Sequence, residues 1–375
     1  MFADRVLSGM RPTGRMHIGH YHGALKNWLR LQEEYECLYF AADWHALTTH
    51  YETPEHIENS VWDMFIDWLA VGINPNRATI FIQSRVIEHA ELTLLLGMIA
   101  PVGWLERVPT YKEQQEKLSD RDLSTYGFLG YPVMQAADIL IYRANMVPVG
   151  EDQVSHLELV RELARRFNHI YGREPEFEEK AKAAVRKLGS RRAKRYQQLR
   201  TAFQEQGDDA ALTAARDMLD EAQNLALGDR ERLFGYLEGT RRMILPEPQP
   251  LLTANPKVPG IDGQKMSKSY DNAIFLREDP ASVTKKIRNQ IYSDQATRDG
   301  VQQGCTTAGI GCLDCKQPVI DSIIAEQAPF HERAQKYLDD PSLVRAIVAD
   351  GCERARKLSD ETMRDVREAM GLAYT

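Results

Sequence analysis

Along residues 1–170 the apolar positions follow two alternating rhythms. Short β-prone runs near Arg5–Gly9, Glu36–Ala42, Ala78–Gln83 and Met146–Gly150 read as strands. Between them apolar residues recur at helical spacing over His20–Glu33, Pro54–Val71, Glu88–Met98 and Gln153–Phe167, which predicts amphipathic helices. Strands separated in this way predict an α/β fold, a parallel sheet wrapped by helices. The rhythm changes at Phe177. Ala, Arg, Glu and Gln dominate up to Met243, strand signals vanish, and Gly189, Gly207 and Gly228 punctuate what reads as a helical insertion. Pro246, Pro248 and Pro250 make a stiff exit into a Gly/Pro-rich loop, Pro256–Gly263. After Pro280 helical spacing returns and ends in the strongly periodic run Pro341–Leu372. The predicted organisation is a first α/β part over 1–176, an insertion over 177–245, a return to the α/β domain over 246–280 and a helical C-terminal domain over 281–375.

Composition narrows the class. At 375 residues, 43% hydrophobic and 27% charged, the chain can bury a sizeable core and is ordinary for a soluble globular protein. Leu94–Leu105, the longest nearly apolar stretch, is broken by Gly97, Pro101 and Gly103 and is too short to cross a bilayer. Met1–Gly9 lacks the basic and apolar regions of a secretory signal, so a cytoplasmic protein without a membrane partner is expected. The net charge is −7, yet residues 178–200 hold nine Lys or Arg against two Glu. Such a run is either a solvated helix face or a contact for a phosphate backbone, which an acidic protein has to confine to a patch. The five cysteines are odd in number, which argues against a disulfide framework. Cys305, Cys312 and Cys315 have ligand-like spacing, but three thiolates are one short of a closed zinc site or a four-cysteine iron–sulfur cluster.

Candidate chemistry sits in two places. The run Ser8–His20, between the first strand and the first helix, puts a Gly-containing loop and a helix N-terminus where backbone N–H groups and the helix dipole favour an anion. It is not a P-loop. It offers instead His17 and His20, with Gly19 between them where a side chain would block a bound base or phosphate. Far along the chain, Lys265-Met266-Ser267-Lys268-Ser269 follows a Gly-rich loop and brings two ammonium groups together, a repulsion that a polyphosphate relieves. A third feature is Asp138, a carboxylate three residues from Gln135 in the otherwise apolar run Val133–Tyr142. Pro132 can open a helix there. A carboxylate in such a stretch needs a buried ion pair or a ligand donor.

The ordered pair His17-Ile18-Gly19-His20 and Lys265–Ser269 resembles the two signatures of class I aminoacyl-tRNA synthetases. Gly9–Gly14, Asp43–Thr48, Tyr131–Asp138, Val147–Gln153 and Met363–Arg367 are further similar to bacterial tryptophanyl-tRNA synthetases, a likeness that covers about residues 1–175 and 251–375. The resemblance implies a Rossmann-type catalytic domain, a helical anticodon-binding domain over 281–375, a homodimer, and a reaction in which L-tryptophan and ATP with Mg²⁺ form an adenylate before transfer to tRNA(Trp). It implies that His17, His20, Lys265 and Lys268 are catalytic. It places ATP against Arg11, Pro12, Thr13, Gly19, His20, Gly150, Glu151, Asp152, Val258, Lys265, Met266, Ser267, Lys268 and Ser269. Asp138 would accept the indole N–H, the one polar atom on the tryptophan ring, with Tyr131, Gln135 and Gln153 around the rest of the substrate. The stretch from Phe177 to Leu245 matches no part of the shorter members. Some members carry a four-cysteine iron–sulfur pattern. Its last three positions match Cys305, Cys312 and Cys315 and its first falls on Ser282, a poor ligand for a soft metal. A metal-free loop is therefore expected, with an iron–sulfur cluster or zinc as the alternative. Two rivals are a tyrosine enzyme of the same subclass, which must bond a phenolic O–H, and a non-catalytic RNA-binding paralogue. Retention of both histidines and both lysines argues against the second.

Overall fold

The computed structural model of the chain describes residues 4–108, 125–150, 154–172, 176–222, 225–239, 243–252, 258–261, 264–288 and 312–374. The chain begins with β1 (Arg5–Met10), α1 (Ile18–His20), a wide π turn (Tyr21–Leu25), α2 (Lys26–Glu34), β2 (Glu36–Ala41) and α3 (Asp43–His50). It continues through α4 (Glu55–Val71), β3 (Ala78–Ile82), α5 (Glu88–Gly97), α6 (Val102–Leu105), α7 (Tyr126–Leu140), β4 (Met146–Val149) and α8 (Val154–Tyr171). Residues 177–245 hold α9 (Phe177–Lys187), α10 (Ser190–Gln206), α11 (Asp209–Asp220) and α12 (Leu227–Leu237). Then come β5 (Gln249–Leu252), α13 (Pro280–Arg288), α14 (Cys312–Asp339) and α15 (Pro341–Ala369).

The strands are ordered β3-β2-β1-β4-β5 in one sheet. β2 and β3 run parallel with Cys37 opposite Ala78 through to Ala41 opposite Ile82, and β1 and β4 run parallel with Val6 opposite Met146. The four predicted strands are all present. β2 is buried from Cys37 to Ala41, as expected of a parallel strand covered on both faces. β5 was not among the predicted strands. It lies in the proline-rich exit, and proline is admitted because β5 is an edge strand, where a missing N–H breaks no central ladder. α3 was likewise unpredicted.

Backbone contacts divide the chain into two units, one of Met1–Leu7, Val86–Leu251 and Arg354–Thr375, the other of Ser8–Arg85 and Leu252–Glu353. In the second unit Trp28 stacks on Tyr39 at 4.2 Å and meets Trp68 edge-on at 5.1 Å. There α14 packs along α4, whose last turn is capped by the Arg333 guanidinium donating to the Ala70 carbonyl (2.5 Å). In the first unit α7 packs between α5 and α8. Helices α9 to α12 share a core around Tyr196, Leu219, Leu233 and Leu237. Gly189 and Gly207 do end helices or start them with positive φ (78° and 69°), but Gly228 lies in the first turn of α12 and separates nothing. Its amide is one of the unpaired N–H groups at a helix start, so glycine costs little there.

Candidate active site

In the unit Ser8–Arg85 with Leu252–Glu353, the loop leaving the C-terminal end of β1 turns into α1 at His17. His17 is the N-cap. Its backbone N–H donates to His20 Nδ1 (3.1 Å) and its carbonyl accepts from His20 N–H (2.8 Å). Since Nδ1 of His20 accepts, its proton resides on Nε2. The two rings lie 3.7 Å apart, and a Cβ on Gly19 would sit 2.9 Å from His17 Nδ1, so only glycine permits this approach. His17 Nδ1 is buried without a partner among the described residues.

The lysine loop is tied to this turn by three features. First, the His17 and Phe275 backbones form a short antiparallel bridge, with Ile18 N–H on Ile274 O (2.9 Å) and Leu276 N–H on Met16 O (2.9 Å). Second, Ile18 and Met266 share an apolar cluster with Ile261, Ile274, Val283 and Ile320. Third, the Lys268 ammonium donates to the carbonyls of Gly14 (2.8 Å) and Thr13 (3.3 Å). The loop is shaped by Asn272, which is buried. Its Oδ1 accepts from Ser267 N–H (2.7 Å) and its Nδ2 donates to Lys265 O (3.2 Å).

Burial and neighbouring charge set the protonation states. Burial first, and Lys268 second, push His17 down to about 4, and His20 is likewise held well below the ordinary imidazole range by burial, His17 and Lys268. Both rings are therefore neutral at pH 7. Burial lowers Lys268 to about 8, against the pull of Asp67 and Asp63. Those two carboxylates stand one turn apart on α4 and are clamped by Arg277, whose Nε donates to Asp67 (2.5 Å) and whose Nη2 donates to Asp63. Asp67 also accepts from the Met16 backbone. Arg15 lies over the Phe275 ring at 4.6 Å and Lys286 at 4.8 Å.

The structure thus joins His17, Gly19, His20, Met266 and Lys268. Lys265 is exposed, and Ser267 is half-buried beside Asn272. Within the loop Thr13 N–H donates to Arg11 O (3.0 Å), and Pro12 carries no N–H. Val258 holds the loop through its carbonyl, which accepts from Met266 N–H (3.1 Å).

The tryptophan candidates lie in the other unit. α7 starts at Tyr126 because the Thr125 side chain accepts from Phe128 N–H (3.3 Å). Pro132 is thus inside the helix rather than at its opening turn. Tyr131 and Gln135 are half-buried. Asp138 is buried and its Oδ1 pairs with His89 Nδ1 (2.6 Å), while His89 Nε2 meets the Tyr142 hydroxyl (2.6 Å). The partner of the carboxylate is an imidazole from α5. Gly150 is buried just after β4; Glu151, Asp152 and Gln153 lie outside the described residues. So does Cys305, while Cys312 and Cys315 fall in the first turn of α14. Ser282 donates its hydroxyl to Glu278 (2.6 Å). Among the described residues no group of three His, Cys, Asp or Glu could hold a metal ion.

Sequence reasoning missed Asp63, Asp67, Arg277, Asn272 and His89. The one available signal was two carboxylates at helical spacing within the apolar stretch of α4.

A family model described as tRNA synthetases class I (W and Y) matches residues 3–187 and 207–307. A tryptophan–tRNA ligase of Ralstonia nicotianae is 65% identical over the whole of both chains, and one of Thermotoga maritima is 40% identical over 99% of this chain and 100% of its own. The crystal structure of a tryptophanyl-tRNA synthetase from Campylobacter jejuni, complexed with ADP and tryptophan, superposes with a TM-score of 0.69 at 25% identity, covering 98% of this chain and 100% of that one. With both signature loops assembled in one unit and relatives of this extent, the chain belongs to the class I tRNA synthetases of the tryptophan and tyrosine type.

Proposed function

We infer that the chain ligates L-tryptophan to tRNA(Trp): tryptophan and ATP give tryptophanyl-adenylate and pyrophosphate, and the tryptophanyl group then passes to the 3′ end of the tRNA. The reaction follows from family membership and from the Ralstonia and Thermotoga ligases. The residue roles rest on one observation, the Lys268 ammonium seated on the Thr13 and Gly14 carbonyls.

Tryptophan's carboxylate is ionised at pH 7 and attacks the α-phosphorus in line, so no residue has to remove its proton. The protein's part is positioning and neutralisation. His17 and His20, neutral and stacked, act as hydrogen-bonding groups to the nucleotide rather than as acids, and Gly19 leaves them room. Lys268 exchanges its two carbonyls for phosphate oxygens, a change that favours its charged form, and Lys265 and Ser267 add to the neutralisation of pyrophosphate. The carboxylates near Lys268 are both taken by Arg277, so they do not fit a resident metal. Mg²⁺ belongs to the reaction as the counter-ion that ATP carries. Gly150, Glu151, Asp152 and Val258 contact the nucleoside, and a ribose hydroxyl of the tRNA, the 2′-OH by resemblance, accepts the tryptophanyl group.

Asp138 accepts the indole N–H. A carboxylate offers about four lone-pair sites, so its bond to His89 is compatible with that role. Tyr131, Gln135 and Gln153 line the rest of the substrate. The helices of 281–375 carry the anticodon-binding part, and the chain works in the cytoplasm as a homodimer. A face formed by Ile87, Leu94 and Met98 with the nearby Val102 and Tyr126, all exposed, supports the dimer.

ATP–pyrophosphate exchange tests the reading: tryptophan should drive it and tyrosine should not. In the Asp138→Asn variant the kcat/KM ratio between tryptophan and a ring analogue lacking the N–H should narrow. A constant ratio makes Asp138 structural.

A further inference from the structure

Helix α10 is the part of the insertion that the family model leaves unmatched: the match stops at residue 187, resumes at 207, and α10 spans Ser190–Gln206. Its inner face is anchored. Tyr196 is fully buried and its hydroxyl donates to Leu233 O (2.5 Å), with Ala193 and Leu199 packed beside it. That anchoring decides which side faces water. On the outer side of its first two turns Arg191, Arg192, Lys194 and Arg195 are all exposed, and the first turn holds no acidic residue.

Several other cations of the insertion have partners. Lys182 pairs with Glu178, Lys187 and Arg232 with Asp229, and Arg216 with Glu238; Arg200 donates to Tyr236 O (2.7 Å) and lies 3.9 Å over its ring. Among the described residues Arg191, Arg192, Lys194 and Arg195 make no ion pair or hydrogen bond with a side chain. Four like charges within five residues repel, and they stand at the end of the helix where the macrodipole is already positive. Nothing in the packing of α10 requires them. A polyanion would relieve both penalties, and exposed Lys182 and Arg186 on α9 extend the cationic surface.

We propose that this face of α10 binds the phosphate backbone of the tRNA, as an accessory contact outside the frame that the family shares. It rests on the ligase reading, which makes tRNA the polyanion presented to the chain. Charge complementarity selects that occupant, because a protein of net charge −7 repels a polyanion except where cations are gathered. Before and after the cations stand Ser190, Gln197 and Gln198, with no exposed aromatic side chain to stack on a base. The contact therefore reads backbone and not sequence.

The test measures binding of a tRNA(Trp) transcript over a salt series for the full chain, a quadruple variant (R191Q/R192Q/K194Q/R195Q) and a charge-conserving variant (R191K/R192K/R195K). The quadruple variant should bind at least about tenfold more weakly at low salt, and its slope of log K on log salt should be shallower by about 3, at just under one per phosphate contact. The charge-conserving variant should keep the parent's slope. All four positions are exposed and their charges repel, so the circular dichroism melt should not fall. Tryptophan-dependent pyrophosphate exchange needs no tRNA and should be equal in the three proteins. Its absence from the parent would count against the ligase reading alone. A parent-like slope in the quadruple variant overturns the proposal, and so does an unchanged slope accompanied by lost binding to phosphatidylserine vesicles, which would assign the face to a lipid surface.

Discussion

Lys268 is an ammonium kept partly out of water by the turn it bonds. Burial lowers its pKa from 10.5 to about 8, while Asp67 and Asp63 pull the other way. Because the folded value lies below the unfolded one, the unfolded chain binds the proton more tightly between about pH 8 and 10.5, so this group's contribution to stability rises with pH across that window. Below pH 8 the penalty is present in full, and a bound polyphosphate is what offsets it. Two outcomes follow at this scale. Lys268→Ala should lower kcat for adenylate formation by ~10²-fold or more with tryptophan affinity nearly unchanged. In the parent, kcat/KM for ATP should fall as pH rises above about 8, and Lys268→Arg should lose that alkaline limb because guanidinium stays charged. A limb that persists in the arginine variant belongs to another group. The histidine pair was legible from spacing alone; its neutrality was not, since that comes first from burial and then from the Lys268 ammonium beside it.

The lysine loop owes its shape to a single amide at the level of elements. Asn272 satisfies the backbone of Ser267 and Lys265 and also accepts Ile261 N–H on its own carbonyl. Asn272→Ala leaves the half-buried Ser267 amide unmatched. It should cost about 1–3 kcal/mol, lower the melting temperature and reduce exchange, whereas Asn272→Asp keeps the acceptor for Ser267 and should recover part of both. Equal exchange in parent and alanine variant would show that Asn272 does not shape the loop for catalysis. Helix and strand rhythms located β1 to β4, α4, α5 and the helical character of 177–245 because those elements each bury one face or both. The failures have local causes. β5 is short and carries a proline, Pro132 is carried in a helix nucleated by the Thr125 cap, and α3 lacks strong amphipathic patterning.

For the whole molecule the clearest expectation is self-association. Leu94 and Met98 are 58% and 67% exposed on one face of α5, with Ile87 at 62% on the same side. Such a stripe favours burial against a partner, so Leu94→Asp should shift sedimentation from dimer toward monomer, and a parent that already sediments as a monomer would refute the dimer. The alternating strand and helix rhythm, the ordered pair of signature loops and the basic run of the insertion were all determined by the sequence itself, because each is carried by residues that are neighbours along the chain. Only the tertiary structure decided that Lys268 meets a carbonyl 255 residues away, that Arg277 clamps carboxylates 210 and 214 residues away, and that Asp138 is paired with an imidazole. Desolvation and ion pairing depend on the atoms packed around a group, and spacing along the chain does not carry that information.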